Sequence, residues 1–147
     1  MANIRACLKS ESSEWTTPRW LFDALNDVYG FTLDPASTHE NALCAKHYTA
    51  EDDGLAQDWT GERNFLNPPY GREIGGWVEK AATSAALTVC LLPARTDTRW
   101  WQTWCVRGWV RFLPGRLKFG GAKSGAPFPS AIVVFDNMSF VRKEERE

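Results

Sequence analysis

Leu87-Thr88-Val89-Cys90-Leu91-Leu92, closed by Pro93, is the stretch that decides the fold. Six uncharged, mostly apolar residues ended by a proline read as a strand buried on both faces, the kind that lies at the centre of a sheet. Just upstream, Asn64-Phe65-Leu66 is a second strand, stopped by Asn67-Pro68-Pro69-Tyr70-Gly71. Between the two, residues 74–85 set Trp77, Val78, Ala81 and Ala82 on one side of a helix. Farther out, Phe31-Thr32-Leu33-Asp34 reads as a short buried strand ending on an acid before Pro35. A helix precedes it, with Thr16 and Thr17 as cap candidates, Pro18 at the first helical position, Trp20, Leu21, Leu25 and Val28 at helical spacing, and Gly30 as its stop. Residues 36–61 are irregular. Downstream, residues 98–106 predict a helix, 109–113 a strand and 131–135 (AIVVF) the last strand. Strands alternating with helices predict an α/β fold with a mostly parallel sheet. Ligands of such sheets bind beyond the carboxyl ends of the strands, where Asp34, Asn67 and Pro93 all stand. Three loop signals thus converge on one candidate pocket.

The chain has 147 residues, which suits one domain. That length buries about 68–70% of the unfolded surface, enough for a core without staples. With 44% hydrophobic and 24% charged residues and a mean hydropathy of -0.37, the composition excludes wholesale disorder and low-complexity architectures. No window approaches the roughly 20 apolar residues of a membrane helix. The first 15 residues hold no apolar core of signal-peptide length, so secretion is not expected. The four cysteines are far apart with no C-x-x-C pair, and His39 and His47 complete no metal-ligand pattern. A reducing cytosol, free thiols and no metal are the expectation. The organisation expected is a flexible N-terminus over 1–13, one domain over 14–136 and a charged tail over 137–147.

Charge is unevenly spread. Residues 1–62 carry 11 acids against 4 bases, and residues 63–147 carry 13 bases against 7 acids. Between Pro93 and Lys123, Arg95, Arg99, Arg107, Arg111, Arg116, Lys118 and Lys123 face Asp97 alone, with Trp100, Trp101, Trp104 and Trp109 among them. A one-sided basic run with aromatics suits phosphates and bases. It equally describes a solvated face with its counter-charges in the acidic half and tryptophans in the core.

The chemistry resides in Asn67-Pro68-Pro69-Tyr70. Two prolines continue neither helix nor central strand, and their fixed φ angles restrict the directions of the Asn67 and Pro68 carbonyls. An Asn side-chain oxygen and a rigid carbonyl can together accept both hydrogens of an amino group on a heteroaromatic ring. That draws the nitrogen toward tetrahedral geometry and frees its lone pair, while Tyr70 supplies a flat face for the ring. A poor nucleophile could so be presented to an electrophilic methyl without a general base or a metal. The bland alternative is a strand-ending turn with Tyr70 as filler.

From residue 14 to about 136 the chain resembles the small phage-type, Dam-like, adenine-specific DNA methyltransferases. The resemblance rests on EWTTPRWLFDAL, TLDPAS, YTAEDDGLAQDW, NFLNPPYG, LLPARTDTRWW, and GRLKFGG with APFPSAIVVF. NPPY is shared by amino-methyltransferases of adenine, cytosine and glutamine, so the order of the other strings carries the substrate. The resemblance implies a Rossmann-like fold that uses S-adenosylmethionine, compact and without a separate target-recognition domain. It implies that Asn67, Pro68, Pro69 and Tyr70 hold a flipped adenine, and that Asp34, followed by Pro35 and Ala36, lies near the methionine part of the cofactor. Thr17 and Pro18 would close over that end. Within Glu51-Asp52-Asp53-Gly54-Leu55 an acid would bind the cofactor's ribose or adenine, with Gly54 and Leu55 beside it. These acids lie 17–19 residues past Asp34, near the roughly 20-residue offset of ribose-binding acids, and the choice among them stays open. The glycine-rich loop of many methyltransferases is replaced by Asp34-Pro35-Ala36-Ser37.

The reaction so implied is in-line methyl transfer to the amino group of a DNA adenine, in the cytoplasm of a host cell for a phage or prophage enzyme. Arg95, Arg99, Arg116 and Lys118 are candidates for phosphate contacts on double-stranded DNA. Short loops at 94–104 and 114–129 would set specificity, and a homodimer is one option. The alternatives are the same chemistry on cytosine, an RNA adenine or a protein glutamine, a non-catalytic nucleic-acid-binding module, or an interaction protein without enzymatic function.

Overall fold

The computed structural model describes residues 15–139. The N-terminal stretch 1–13, Cys7 and the tail beyond residue 139 lie outside the described residues. Helices and strands follow in the order α1 (Arg19–Tyr29), β1 (Arg63–Leu66), α2 (Ile74–Thr83), β2 (Leu87–Pro93), α3 (Arg99–Thr103), β3 (Trp109–Phe112) and β4 (Ser130–Asp136). Short 3-10 turns occupy Gly54–Ala56 and Cys105–Arg107. The helix expected over 98–106 therefore divides into α3 and a tighter turn. Thr98 caps α3 by accepting from Trp101 N.

The sheet has the order β1-β2-β4-β3. β1 and β2 are parallel, with Arg63 opposite Leu87 and Leu66 opposite Cys90. β4 is antiparallel to both β2 and β3. This corrects the expected mostly parallel sheet, since one ladder is parallel and two are antiparallel. β1, β2 and β3 share one direction, and β4 is the reversed strand inserted between two of them. An apolar strand such as Ala131–Phe135 shows the same pattern whichever way it runs, so hydropathy could not reveal the insertion.

A second correction concerns Phe31–Asp34. Leu33 and Asp34 make single parallel bridges, to Asn64 and His47 respectively, rather than a strand. Pro35 follows without an N–H to extend the ladder.

The sheet separates two apolar layers with the period of two that a strand imposes. Leu66, Cys90, Leu92, Ala131, Val133 and Phe135 pack toward α2 and α3. Phe65, Leu87, Val89, Leu91, Ile132 and Val134 pack toward α1 and a long loop carrying Leu117, Phe119, Ala126 and Phe128. On α1, Leu21 and Phe22 are buried and Leu25 packs against them. Trp20 and Val28, expected on the same face, stay 63% and 72% exposed. Pro18 sits at the N-cap of α1 rather than inside it, and no side chain caps the helix. The hydroxyl of Thr17 is engaged elsewhere. Gly30 ends α1 in the left-handed region at φ 62. Trp101 is buried and Trp100 and Trp104 are half-buried, whereas Trp109 is exposed. Most of the tryptophan run thus belongs to the core.

Candidate active site

Beyond the carboxyl ends of Leu33–Asp34 and β1 opens a cavity of about 680 Å³, within the size range of small-molecule sites. Its wall is built from the strap Trp15–Thr17, from Asp34–Thr38, Asn41, Leu43, Tyr48–Ala50, Asp53–Leu55, Phe65, Asn67–Pro69, Glu73 and Trp77. Among the described residues, five buried side-chain polar atoms lack a hydrogen-bond partner. Three of them, Ser37 Oγ, Asn67 Oδ1 and Trp77 Nε1, belong to residues of this wall. Each such orphan costs about 1–3 kcal/mol of folding free energy. An acceptor, a donor and a hydroxyl without partners thus belong to residues around one cavity.

Asn67 follows β1 and is turned by Pro68 and Pro69. Its Nδ2 donates to the Trp15 carbonyl oxygen and to Thr17 Oγ1, the latter at 2.9 Å. Both amide hydrogens are thereby used, and Oδ1 is left as a buried acceptor.

Asp34 is 3% exposed. Its Oδ2 accepts from Leu43 N at 3.0 Å. Burial pushes its pKa up to about 6, against the opposing pull of the Leu43 and Ala36 backbone hydrogen bonds and the His47 ring. A buried carboxyl so raised favours a cationic partner.

The opposite wall is a pinned loop. Trp59 Nε1 donates to the Gly54 carbonyl at 2.9 Å, Lys80 Nζ donates to the Leu55 carbonyl at 2.7 Å, and the Trp59 and Trp77 rings stack at 6.1 Å. A Cβ on Gly54 would fall 2.1 Å from the Pro35 carbonyl oxygen and 3.0 Å from the Trp77 ring. Only glycine lets the two loops meet there. Gly54→Ala is therefore expected to destabilise the fold by about 1–3 kcal/mol, read as a lowered Tm, because neither backbone nor indole can yield.

The acidic triplet separates by geometry. Asp52 accepts from Thr49 N and Thr49 Oγ1, which holds its carboxyl below the usual range. Asp52 and Glu51 are outside the cavity wall; Asp53 is in it, at φ 55, the one left-handed non-glycine residue among those described. Such backbone in a non-glycine residue costs energy and concentrates at functional sites.

Of the residues singled out above, Thr17, Asp34, Pro35, Ala36, Asp53, Gly54, Leu55, Asn67, Pro68 and Pro69 come together around the cavity, while Pro18, Glu51 and Pro93 do not line it. Tyr70 is not in the wall either. Its hydroxyl donates to the Leu91 carbonyl at 3.1 Å, burial pushes its pKa well above the ordinary value, and its ring meets Phe128 and Phe119 edge-on. Arg95, Arg99, Arg116 and Lys118 are exposed and outside the cavity. None makes a salt bridge among the described residues. Arg95 lies over the Phe128 ring at 5.8 Å. Sequence reasoning missed Trp15, Ser37, Asn41, Tyr48, Glu73 and Trp77. For Trp77 the helical period signalled only a core position, and it lies both in the core and in the cavity wall. Among the described residues, no three His, Cys, Asp or Glu side chains gather as a metal centre requires, and no helix is long and apolar enough to cross a membrane.

A family model described as DNA N-6-adenine-methyltransferase (Dam) matches residues 5–143. A DNA N-6-adenine-methyltransferase of Haemophilus phage HP1 is 30% identical over 142 residues, covering 87% of this chain and 81% of that protein. A putative methyltransferase YfdM of Escherichia coli K12 is 44% identical over 71 residues, 43% of this chain and 77% of that protein. A DNA N-6-adenine-methyltransferase of Escherichia phage T1 is 34% identical over 91 residues, 58% of this chain and 38% of that protein.

Proposed function

The chain belongs to the DNA N-6-adenine-methyltransferase (Dam) family, and from that premise we propose that its cavity holds S-adenosylmethionine while Asn67 and the Pro68-Pro69 bend hold the adenine to be modified. The protein is an enzyme, and its reaction is methyl transfer to the N-6 amino group of adenine in DNA. A methyl donor is required by that class of reaction.

The wall suits this donor. Asp34 would take the ammonium of the methionine part. Asp53, whose carboxylate has no hydrogen-bond partner among the described residues, would take the ribose hydroxyls. Ser37 Oγ and Trp77 Nε1, unpaired among the described residues, would meet the donor's remaining polar atoms. When bound, the donor supplies a methyl on a sulfonium, an activated leaving group.

The protein's own part is orientation. The Asn67 Oδ1 and the Pro68 carbonyl accept the two amino hydrogens, hold the nitrogen with its lone pair toward the methyl, and keep water away. The target base is inaccessible inside a duplex and has to rotate out. Tyr70, packed edge-on against the buried Phe119 and Phe128 rings, would support the Pro68-Pro69 bend from behind. Arg95, Arg99, Arg116 and Lys118 would hold the phosphates of double-stranded DNA meanwhile. Replacing Arg99 or Arg116 by alanine is then expected to flatten the salt dependence of DNA affinity by about one phosphate each, with little change in sequence preference. A salt titration of binding checks this. The host cytoplasm is where such an enzyme meets its DNA.

The observation that carries this reading is the Asn67 amide, with both donors engaged and a buried oxygen left free. Labelled donor and unmethylated duplex DNA, followed by digestion to nucleosides, test it. The expected product is N6-methyldeoxyadenosine. Label on cytosine, on RNA or on protein glutamine would redirect the chemistry, and binding without transfer would leave only a scaffold.

A further inference from the structure

We infer that Thr17 is a positioning residue that fixes which end of the Asn67 side-chain amide faces the substrate; the inference rests on the role given to Asn67 above. An asparagine amide is nearly symmetrical in shape, yet its two ends have opposite hydrogen-bonding roles. Flipped by half a turn, Asn67 would offer hydrogens to an amine that needs acceptors, and the reaction would lose its grip on the nucleophile.

Two acceptors oppose that flip. The Trp15 carbonyl and Thr17 Oγ1 both receive Nδ2, the second at 2.9 Å. Thr17 is 8% exposed, so water does not replace its hydroxyl freely. The residue stands next to the start of α1, where a threonine would ordinarily cap the helix, yet the cap position is Pro18 and no side chain serves it. The hydroxyl therefore serves the amide instead of the helix.

The strap that carries both acceptors is itself anchored. Gly120 N donates to the Thr16 carbonyl at 2.8 Å, and the Trp15 ring meets Phe119 and Phe128 edge-on, each at 5.2 Å. Phe119 and Phe128 belong to the loop between β3 and β4, so the acceptors keep their place only while that loop is packed.

Thr17→Val removes the hydroxyl at nearly constant shape. The expected result is a fall in kcat of about 10–100-fold, the scale of a misplaced reacting group, with donor Kd unchanged. Thr17→Ser restores the hydroxyl and most of kcat. Wild-type kcat in Thr17→Val, a loss confined to donor Kd, or failure of Thr17→Ser to rescue would each overturn the inference. If Thr17→Val does not fold, the wild-type protein still decides. Nuclear magnetic resonance should show two distinct, slowly exchanging Asn67 side-chain amide protons, and rapid exchange would overturn the inference. An active Asn67→Ala enzyme would instead remove the underlying reading. An inactive Asn67→Ala beside a fully active Thr17→Val would remove the Thr17 role alone.

Discussion

Replacing Asn67 by alanine is expected to lower kcat by about 10²–10³-fold, the effect of deleting one preorganised polar group from a reacting centre, and to leave the affinity for the methyl donor nearly intact. The reason lies in what the side chain does in the free protein. Its two amide hydrogens are tied to Trp15 and Thr17, and its oxygen is buried without a partner among the described residues. An orphaned acceptor contributes nothing favourable to folding, so the variant should remain folded; it removes two hydrogen bonds of about 1 kcal/mol each and one desolvated oxygen together. The loss therefore falls on turnover. Steady-state kinetics and a calorimetric titration of the donor separate the two quantities.

Asp34→Asn is the opposite case, expected to stabilise the protein while costing it the donor. Folding raises the Asp34 pKa from 3.8 to about 6, chiefly through burial. Below 3.8 the carboxyl is neutral in both states; above 6 the folded protein carries a buried charge that the unfolded chain solvates. Stability associated with this group is thus present at low pH and lost as pH rises through the interval up to about 6. The asparagine variant escapes that loss and gains up to about 3 kcal/mol at pH 8. The same neutral amide cannot form the ion pair proposed for the donor's ammonium, so donor affinity is expected to fall about 10–100-fold, the scale of a lost charge-assisted hydrogen bond. In the wild type, donor affinity should itself weaken as pH drops below about 6. Thermal melts at pH 5 and pH 8, with a donor titration at each, read both effects.

β2 was legible because it is buried along its whole length, and a run with no polar face has few other places in a fold. The double proline after β1 was legible because missing N–H groups and fixed φ angles leave the chain no choice but to turn. The direction of β4 was not, since strand direction depends on which edge the chain returns to and not on side-chain pattern. Asn67 and Asp34 stood out as polar residues at the ends of apolar runs. The partners that hold the Asn67 amide did not. Trp15 acts through its backbone carbonyl, which every residue possesses, and Thr17 resembled a helix cap. Trp77 was hidden by its own periodicity, and Tyr70, read as a stacking face, stands behind the wall with its hydroxyl on Leu91. Asp53 separated from Glu51 and Asp52 only once the backbone showed its left-handed turn and Asp52 tied to Thr49.

The most direct measurement of the central claim is a structure of the enzyme with duplex DNA and an unreactive analogue of the donor. The account places the amino nitrogen of an unstacked adenine about 3 Å from Asn67 Oδ1, with that oxygen no longer without a partner. An adenine still stacked in the duplex, or seated elsewhere while Asn67 Oδ1 stays unpaired, would contradict it.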